Sequence, residues 1–190
     1  MVRKPIHTLA DLKGLKLRAP TRQTNKLLAA LGATPVAMPV PAVGEALSKG
    51  VIDGVLVPYE VVPSVKIQEL VKFHSETDPA EPAIYTSTFM FAMNKARYDS
   101  LPADLKKVID ANSGADLSAH IGAVFLNADA EGKKLTQGNT TNVIPKAELV
   151  AWKKAAQPVT DAWVAEVTAK GMNGQQLLDG ARSLIQKHAR

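Results

Sequence analysis

Between residues 15 and 57, three short apolar runs alternate with two amphipathic segments, joined by connections of only a few residues. Residues 15–18 alternate in character, so Leu15 and Leu17 face a core while Lys16 and Arg18 face the other way, and Pro20 ends the run. Residues 21–31 place Leu27, Leu28 and Leu31 on one helical stripe before Gly32 stops it. Residues 34–38 read as a second strand, and residues 41–49 as a short helix with Val43, Ala46 and Leu47 inward and Gly50 as a left-handed terminator. Residues 51–57 turn into a third strand. Strand and helix in strict alternation specify a βαβ lobe on a largely parallel sheet. Open sheets of this type bind ligands beyond the carboxyl ends of their strands. Arg18 and the run Val57-Pro58-Tyr59-Glu60 both fall at such ends.

The flanking segments are simpler. Residues 8–13 form one helical turn with Thr8 as N-cap and Gly14 as its stop. Residues 59–65 make a short helix limited by Pro63, residues 70–74 a strand, and residues 75–82 a polar loop. Residues 85–93 have the β-branched and aromatic enrichment of a well-buried strand. From residue 100 to about residue 135 the apolar spacing is helical, with Gly114 bending or dividing the stretch. A short strand at 141–145 precedes a helix over 147–170, where Pro158 predicts a kink. Leu177, Leu178, Leu184 and Ile185 share one face of a last helix. There is no internal repeat.

Composition removes several function classes. The 190 residues carry 23 Lys+Arg against 18 Asp+Glu, a net charge of +5, but the basic residues are dispersed and the 5% aromatics are not interleaved with them, so no nucleic-acid surface is expected. With no cysteine, thiol nucleophiles, disulfides and thiolate metal sites are excluded together. No apolar run approaches the roughly 20 residues of a membrane span, and Met1-Val2-Arg3-Lys4-Pro5 leads into no signal-peptide core. The four histidines, His7, His74, His120 and His188, lack ligand-like spacing and read as surface or loosely packed side chains. Neither a Gly-x-Ser-x-Gly elbow nor a phosphate-binding loop is present, and no cofactor is expected. Asp53-Gly54 reads as a turn whose glycine takes positive φ, with a catalytic aspartate as the alternative.

Arg18 stands apart. An arginine on a short apolar strand presents a fork that pairs with two oxygens of a carboxylate, and it is equally suited to an internal ion pair. Spacing leaves both roles open.

A family resemblance bears on that choice. Asp11-Leu12-Lys13-Gly14-Leu15-Lys16-Leu17-Arg18-Ala19-Pro20, then Gly32-Ala33-Thr34-Pro35-Val36-Ala37-Met38-Pro39, then Glu45-Ala46-Leu47-Ser48-Lys49-Gly50-Val51-Ile52-Asp53-Gly54 occur in an order that resembles the solute-binding proteins of tripartite ATP-independent periplasmic (TRAP) transporters. Thr88 to Lys95 and Tyr98 to Pro102 resemble the return strand and following helix of that family. The resemblance implies an α/β periplasmic-binding-protein-like fold with no enzymatic activity, a small organic acid as ligand, transporter membrane subunits as partners and a periplasmic location. It implies that Arg18 pairs with the ligand carboxylate and that Thr21, Val40, Val57 and Pro58 line the cleft, with Tyr59 and Glu60 beside them. Val57 stands where relatives often carry a polar asparagine, which suits a hydrophobic or aromatic acid; Glu60 would instead favour an amine-bearing ligand. Relatives also have a signal peptide and most of an N-terminal lobe ahead of the opening segment. The chain therefore reads as a truncated two-lobe fold: a βαβ lobe over about 14–74, a hinge and return strand over 75–95, and a helical region with one short strand over 96–190. Weak or absent ligand binding by the chain alone, and self-association through uncovered surfaces, follow from that reading. The readings from other classes are an enzyme using Glu60 or Asp53 as base, and a cytoplasmic regulatory module.

Overall fold

The computed structural model describes residues 1–188. Strands β1 (Lys16–Arg18), β2 (Thr34–Val36) and β3 (Gly54–Val55) form a parallel sheet in the order β2-β1-β3. Pro35, which cannot donate to a ladder, lies on the edge strand, where that loss is tolerated. A second parallel pair, β4 (Phe73–Thr77) and β5 (Thr140–Ile144), is stitched to the first through Val2, which bridges antiparallel to both Gly54 and Phe73. Because Val2 runs against both neighbours, β3 and β4 point the same way and all five strands end on one side.

Alternation along the strands divides the interior into two layers. Leu17 joins Leu12, Leu28, Leu31, Ile144, Leu149 and Trp152 on one face. Those residues come from helix α1 (Arg22–Ala30) and helix α8 (Lys146–Ala169) as well as the strands. Val55 points to the other face, where Val43, Leu47, Ile52, Ile67 and Val71 gather. Helices α2 (Val43–Ser48), α3 (Val62–Val65) and α4 (Ile67–Leu70) supply much of that second layer. Burial of both faces is what a parallel sheet requires. At the start of α1, the hydroxyl of Thr21 accepts from the Thr24 amide at 3.1 Å and that of Thr24 accepts from the Thr21 amide at 2.9 Å, a reciprocal cap.

Helix α5 (Lys95–Asp99), helix α6 (Ala103–Ala111) and helix α7 (Ala115–Leu135) follow. Gly114, at φ 80°, divides α6 from α7 as its spacing predicted. Pro158 lies inside α8, which runs on through it as one element of 24 residues; lacking an N–H, the proline cannot donate the ladder bond to Lys154. The last helix is α9 (Gly174–His188).

Three expectations require correction. Residues 85–93 form no strand, so the return strand expected within 75–95 is absent; β4 occupies only its beginning. β-branched and aromatic composition favours a strand only where a partner ladder exists, and no described strand pairs with this stretch, leaving Phe89, Met90 and Phe91 76%, 89% and 97% exposed. Residues 70–74 are split between the end of α4 and the start of β4, because Ile67 and Val71 are both drawn into the second layer. Gly54 does not adopt positive φ. It lies in β3, where an added Cβ would sit 2.4 Å from Val2 Cγ1 and 2.6 Å from Met1 O, so glycine is required for the close approach of the first residues rather than for a turn.

Among the glycines, the tightest approach is at Gly132, where α7 meets the 3-10 turn Tyr59–Val61: a Cβ there would lie 2.0 Å from the Tyr59 carbonyl oxygen. Backbone cannot retreat as a flexible side chain can. Gly132→Ala is therefore expected to destabilise the chain by about 1–3 kcal/mol or more through overpacking, despite the gain in helix propensity, as read by urea unfolding. Unchanged stability would show that α7 does not sit on this turn.

Candidate functional site

The carboxyl ends of β3 and β4, the irregular stretch after β4 and one side of α7 surround a cleft of about 1220 Å³. Val57, Pro58, Tyr59 and Glu60 all line it, brought there by the chain leaving β3 and turning into the Tyr59–Val61 segment. Phe89, Leu117, Ile121 and Phe125 give the opposite wall an apolar character, with the Phe89 and Phe125 rings stacked at 5.7 Å.

Arg18 lies immediately behind this wall and is 4% exposed. Register pairs it with Val36 and Val55, so the guanidinium leaves the sheet between two apolar side chains. Its Nε donates to the Met38 carbonyl at 3.1 Å and its Nη1 approaches the Leu56 carbonyl at 3.5 Å. No carboxylate lies within ion-pair distance of it among the described residues. Burial lowers its pKa from the usual arginine value, and the only opposing influence is Tyr85. A guanidinium remains protonated under any ordinary condition, so the sheet holds a buried cation whose acceptors are neutral carbonyls.

Thr21 and Val40 do not line the cleft. Thr21 is exposed and its hydroxyl is engaged in capping α1, while Val40 begins a 3-10 turn, Val40–Ala42, beyond β2. Asp53 is likewise occupied: its Oδ2 accepts from the Lys16 amide at 2.8 Å, which makes it a connector between β1 and β3.

Two polar groupings order the far side of the cleft. The Tyr59 hydroxyl donates to Glu76 Oε1 at 2.6 Å, and Lys133 pairs with the same carboxylate at 2.9 Å while standing 5.5 Å over the Tyr59 ring. Burial raises the Tyr59 pKa and the Glu76 bond adds to it; for Glu76, burial opposes but the bonds from Tyr59 and Lys133 prevail, and its pKa is lowered. The second grouping joins Glu60 to α7, where the Glu60 amide donates to Asp129 Oδ1 at 2.8 Å. Burial, with the Asp129 charge behind it, raises the Glu60 pKa.

His74 departs from its expected surface position: it is 1% exposed and lines the cleft. Its ring stacks on Tyr59 at 5.9 Å, and its Nε2 lies 3.0 Å from Asn139 Nδ2. The two hydrogens of that amide are shared among Nε2 and the Gln68 and Val71 carbonyls; since an amide nitrogen cannot accept, Nε2 is an acceptor and the proton resides on Nδ1. Burial, together with the charge of the N-terminus, lowers the His74 pKa to about 4. Ser75, Glu76, Tyr85 and the lining residues of α7 are also cleft residues that local patterns did not reveal. Isolated spacing offers no signal for them, since β4 and α7 reach the site only through non-local pairing.

The site is thus an open parallel sheet with a buried arginine near its carboxyl edge and, beside it, a cleft whose far wall is largely apolar. Residues 2–166 match the family described as bacterial extracellular solute-binding protein, family 7, and the chain belongs to that family. It superposes with a TM-score of 0.91 on a TRAP solute-binding protein from Rhodoferax ferrireducens T118 holding copurified benzoate, at 52% identity and covering 99% of this chain and 59% of that one. A second solved protein, from an unidentified marine microbe and specific for aromatic acid ligands, was co-crystallised with 3-hydroxybenzoate. It gives a TM-score of 0.91 at 41% identity over 100% of this chain and 60% of its own. The 2,3-diketo-L-gulonate-binding periplasmic protein of Escherichia coli K12 is 35% identical over 108 residues, which is 56% of this chain and 31% of the relative. The chain thus spans about 60% of the solved structures it matches. Family membership excludes the enzyme reading; these relatives are solute-binding components.

The buried neutral His74 carries a prediction. Its folded pKa of about 4 lies below the ordinary histidine value of 6.5, so between those values the unfolded chain binds more protons. Stability is fully present above about pH 6.5 and is lost as pH falls towards 4, by an amount on the order of 3 kcal/mol at most. Unfolding of the wild type and His74→Phe at pH 7 and pH 4.5 should show a steeper loss in the wild type. Parallel losses would place a charged, solvated imidazole at this position.

Proposed function

We propose that this chain forms the arginine-bearing wall of a periplasmic receptor that captures a small organic carboxylate for the membrane subunits of a TRAP transporter. The observation that carries the reading is the Arg18 guanidinium: buried, held by two carbonyls, and without a carboxylate partner among the described residues. An anion arriving at the carboxyl edge of β1 would supply the countercharge, and a bidentate pair is the geometry a guanidinium serves best.

An aromatic or otherwise apolar body suits the rest of the cleft. Val57, Leu117, Ile121, Phe89 and Phe125 offer carbon rather than hydrogen-bonding groups to the part of the ligand beyond its carboxylate. The relatives holding benzoate and 3-hydroxybenzoate, at 52% and 41% identity, support the same class. Glu60 does not favour an amine-bearing ligand as strongly as its position in sequence suggested, because burial and Asp129 disfavour its charged form.

The cleft is bounded on its far side by side chains as exposed as Phe91, at 97%, so a bound carboxylate keeps much of its hydration and this chain should bind benzoate with a Kd of about 1 mM. Titration followed by NMR chemical shifts measures this directly. Arg18→Ala should weaken binding beyond detection, since truncating one partner of a charge-assisted pair costs about 2–5 kcal/mol, and Arg18→Lys should not restore it. Equal benzoate binding by the alanine variant would sink the carboxylate reading; micromolar binding by the wild type would show that one wall suffices.

A further inference from the structure

Three carboxylates line the cleft, Glu60, Glu76 and Asp129, and no lysine or arginine lines it among the described residues. Their positions are fixed where β4, α7 and the Tyr59 turn meet. Glu76 accepts from the Tyr59 hydroxyl at 2.6 Å and pairs at 2.9 Å with Lys133, itself outside the lining, so its charge is matched. Asp129 accepts from the Glu60 amide at 2.8 Å, which holds the two residues on one patch of the wall. Neither Glu60 nor Asp129 has a cation within ion-pair distance among the described residues. The Met1 amine, also at the cleft, has its pKa lowered to about 5 by burial and adds little charge at pH 7.

We infer that the cleft accepts ligands with a single carboxylate and rejects dicarboxylates, because Glu60 and Asp129 hold uncompensated negative charge in the cavity that takes the ligand body. The inference rests on the carboxylate reading of the preceding subsection and names the substrate class within it. Arg18, whose guanidinium approaches the carbonyl of the cleft residue Leu56, supplies countercharge for one anionic group. A second carboxylate on the same ligand would leave water for a cavity whose unmatched charges have its own sign. The chain's own groups already respond to that field. Burial raises the Glu60 pKa and the Asp129 charge adds to it, while the charges of Asp129 and Glu60 add to the burial that pushes the Tyr85 phenol up to about 12. In both cases new negative charge at this wall is disfavoured. The attractive contacts, one arginine and an apolar wall, would serve an aromatic dicarboxylate as well as a monocarboxylate, so discrimination between them falls to the repulsive element.

The test titrates benzoate, 3-nitrobenzoate and isophthalate, the benzene-1,3-dicarboxylate, into the 190-residue chain by NMR at pH 7. A nitro group has the shape of a carboxylate without its charge, which separates repulsion from crowding. 3-Nitrobenzoate is expected to bind within about threefold of benzoate, and isophthalate about tenfold more weakly than either, a gap that narrows as ionic strength rises from about 0.02 M to about 0.5 M. Asp129→Asn, which keeps the oxygen that accepts from the Glu60 amide, should narrow the same gap by about threefold, as should Glu60→Gln. Isophthalate binding as tightly as 3-nitrobenzoate, or a gap that neither variant narrows, overturns the inference while leaving the Arg18 reading intact. 3-Nitrobenzoate binding as weakly as isophthalate assigns the gap to size and overturns it as well. A wild type that binds no benzoate at about 10 mM, ten times the expected Kd, overturns the carboxylate reading and the inference together.

Discussion

The structure is organised around the confinement of one positive charge. At 4% whole-residue exposure, Arg18 is the most buried Lys, Arg, Asp or Glu among the described residues. An ion in that setting is disfavoured by several kcal/mol unless it is paired, and two carbonyls offset only part of that. The sheet makes the position possible. Leu17 and Ala19, on either side of Arg18 in sequence, are 3% and 2% exposed and anchor the strand in the first layer. With its neighbours fixed, the arginine can project only towards the second layer, between Val36 and Val55. The stability forgone at one residue is supplied by the packing of those adjacent to it.

The packing behind that strand is non-local. Leu28 and Leu31 at the end of α1 share a cluster with Ile144, Leu149 and Trp152, so the C-terminal third of the chain braces the strand that carries the arginine. Glu148 reinforces the brace by accepting from the Leu9 amide at 2.7 Å. On the other side of the cleft, Gly132 admits the backbone of the Tyr59 turn against α7, and the Asp129 bond to the Glu60 amide fixes its depth. The cleft is therefore a junction between rigid elements, which is the arrangement that holds a donor in place before a ligand arrives.

What could be read in the sequence was local. The alternation of residues 15–18 placed Arg18 at a strand end, the apolar stripe of residues 21–31 and the glycine at 114 marked helix boundaries, and Val57 to Glu60 were found at the edge where the cleft lies. His74, Ser75 and Tyr85 were not legible because their roles depend on which strand pairs with β4 and where α7 packs, and neither is encoded in neighbouring residues. The stretch beginning at Tyr85 illustrates the limit most clearly. Its composition reports a preference for a half-buried ladder, yet composition carries no information about whether a partner strand is within reach. The histidine was misjudged for a related reason: spacing can argue against metal ligation, but it cannot distinguish an exposed imidazole from one kept neutral by burial and bonded to an asparagine 65 positions away.

The same residues can serve very different affinities, depending on how much water reaches them. At 4 Å, two unit charges attract by about 1 kcal/mol in bulk water and by about 4 kcal/mol at the effective dielectric of a protein surface. Arg18 is already withdrawn from water, while the cavity beyond Leu56, whose carbonyl it approaches, is bounded by side chains as exposed as Phe91, at 97%. A carboxylate bound there would keep much of its hydration, and its pairing energy would lie nearer the lower figure. The longer relatives, of which this chain spans about 60%, have further chain with which to cover such a site. Covering it would strengthen the guanidinium contact without changing a single residue on this wall, because the desolvation of Arg18 has already been met by folding and only that of the ligand remains.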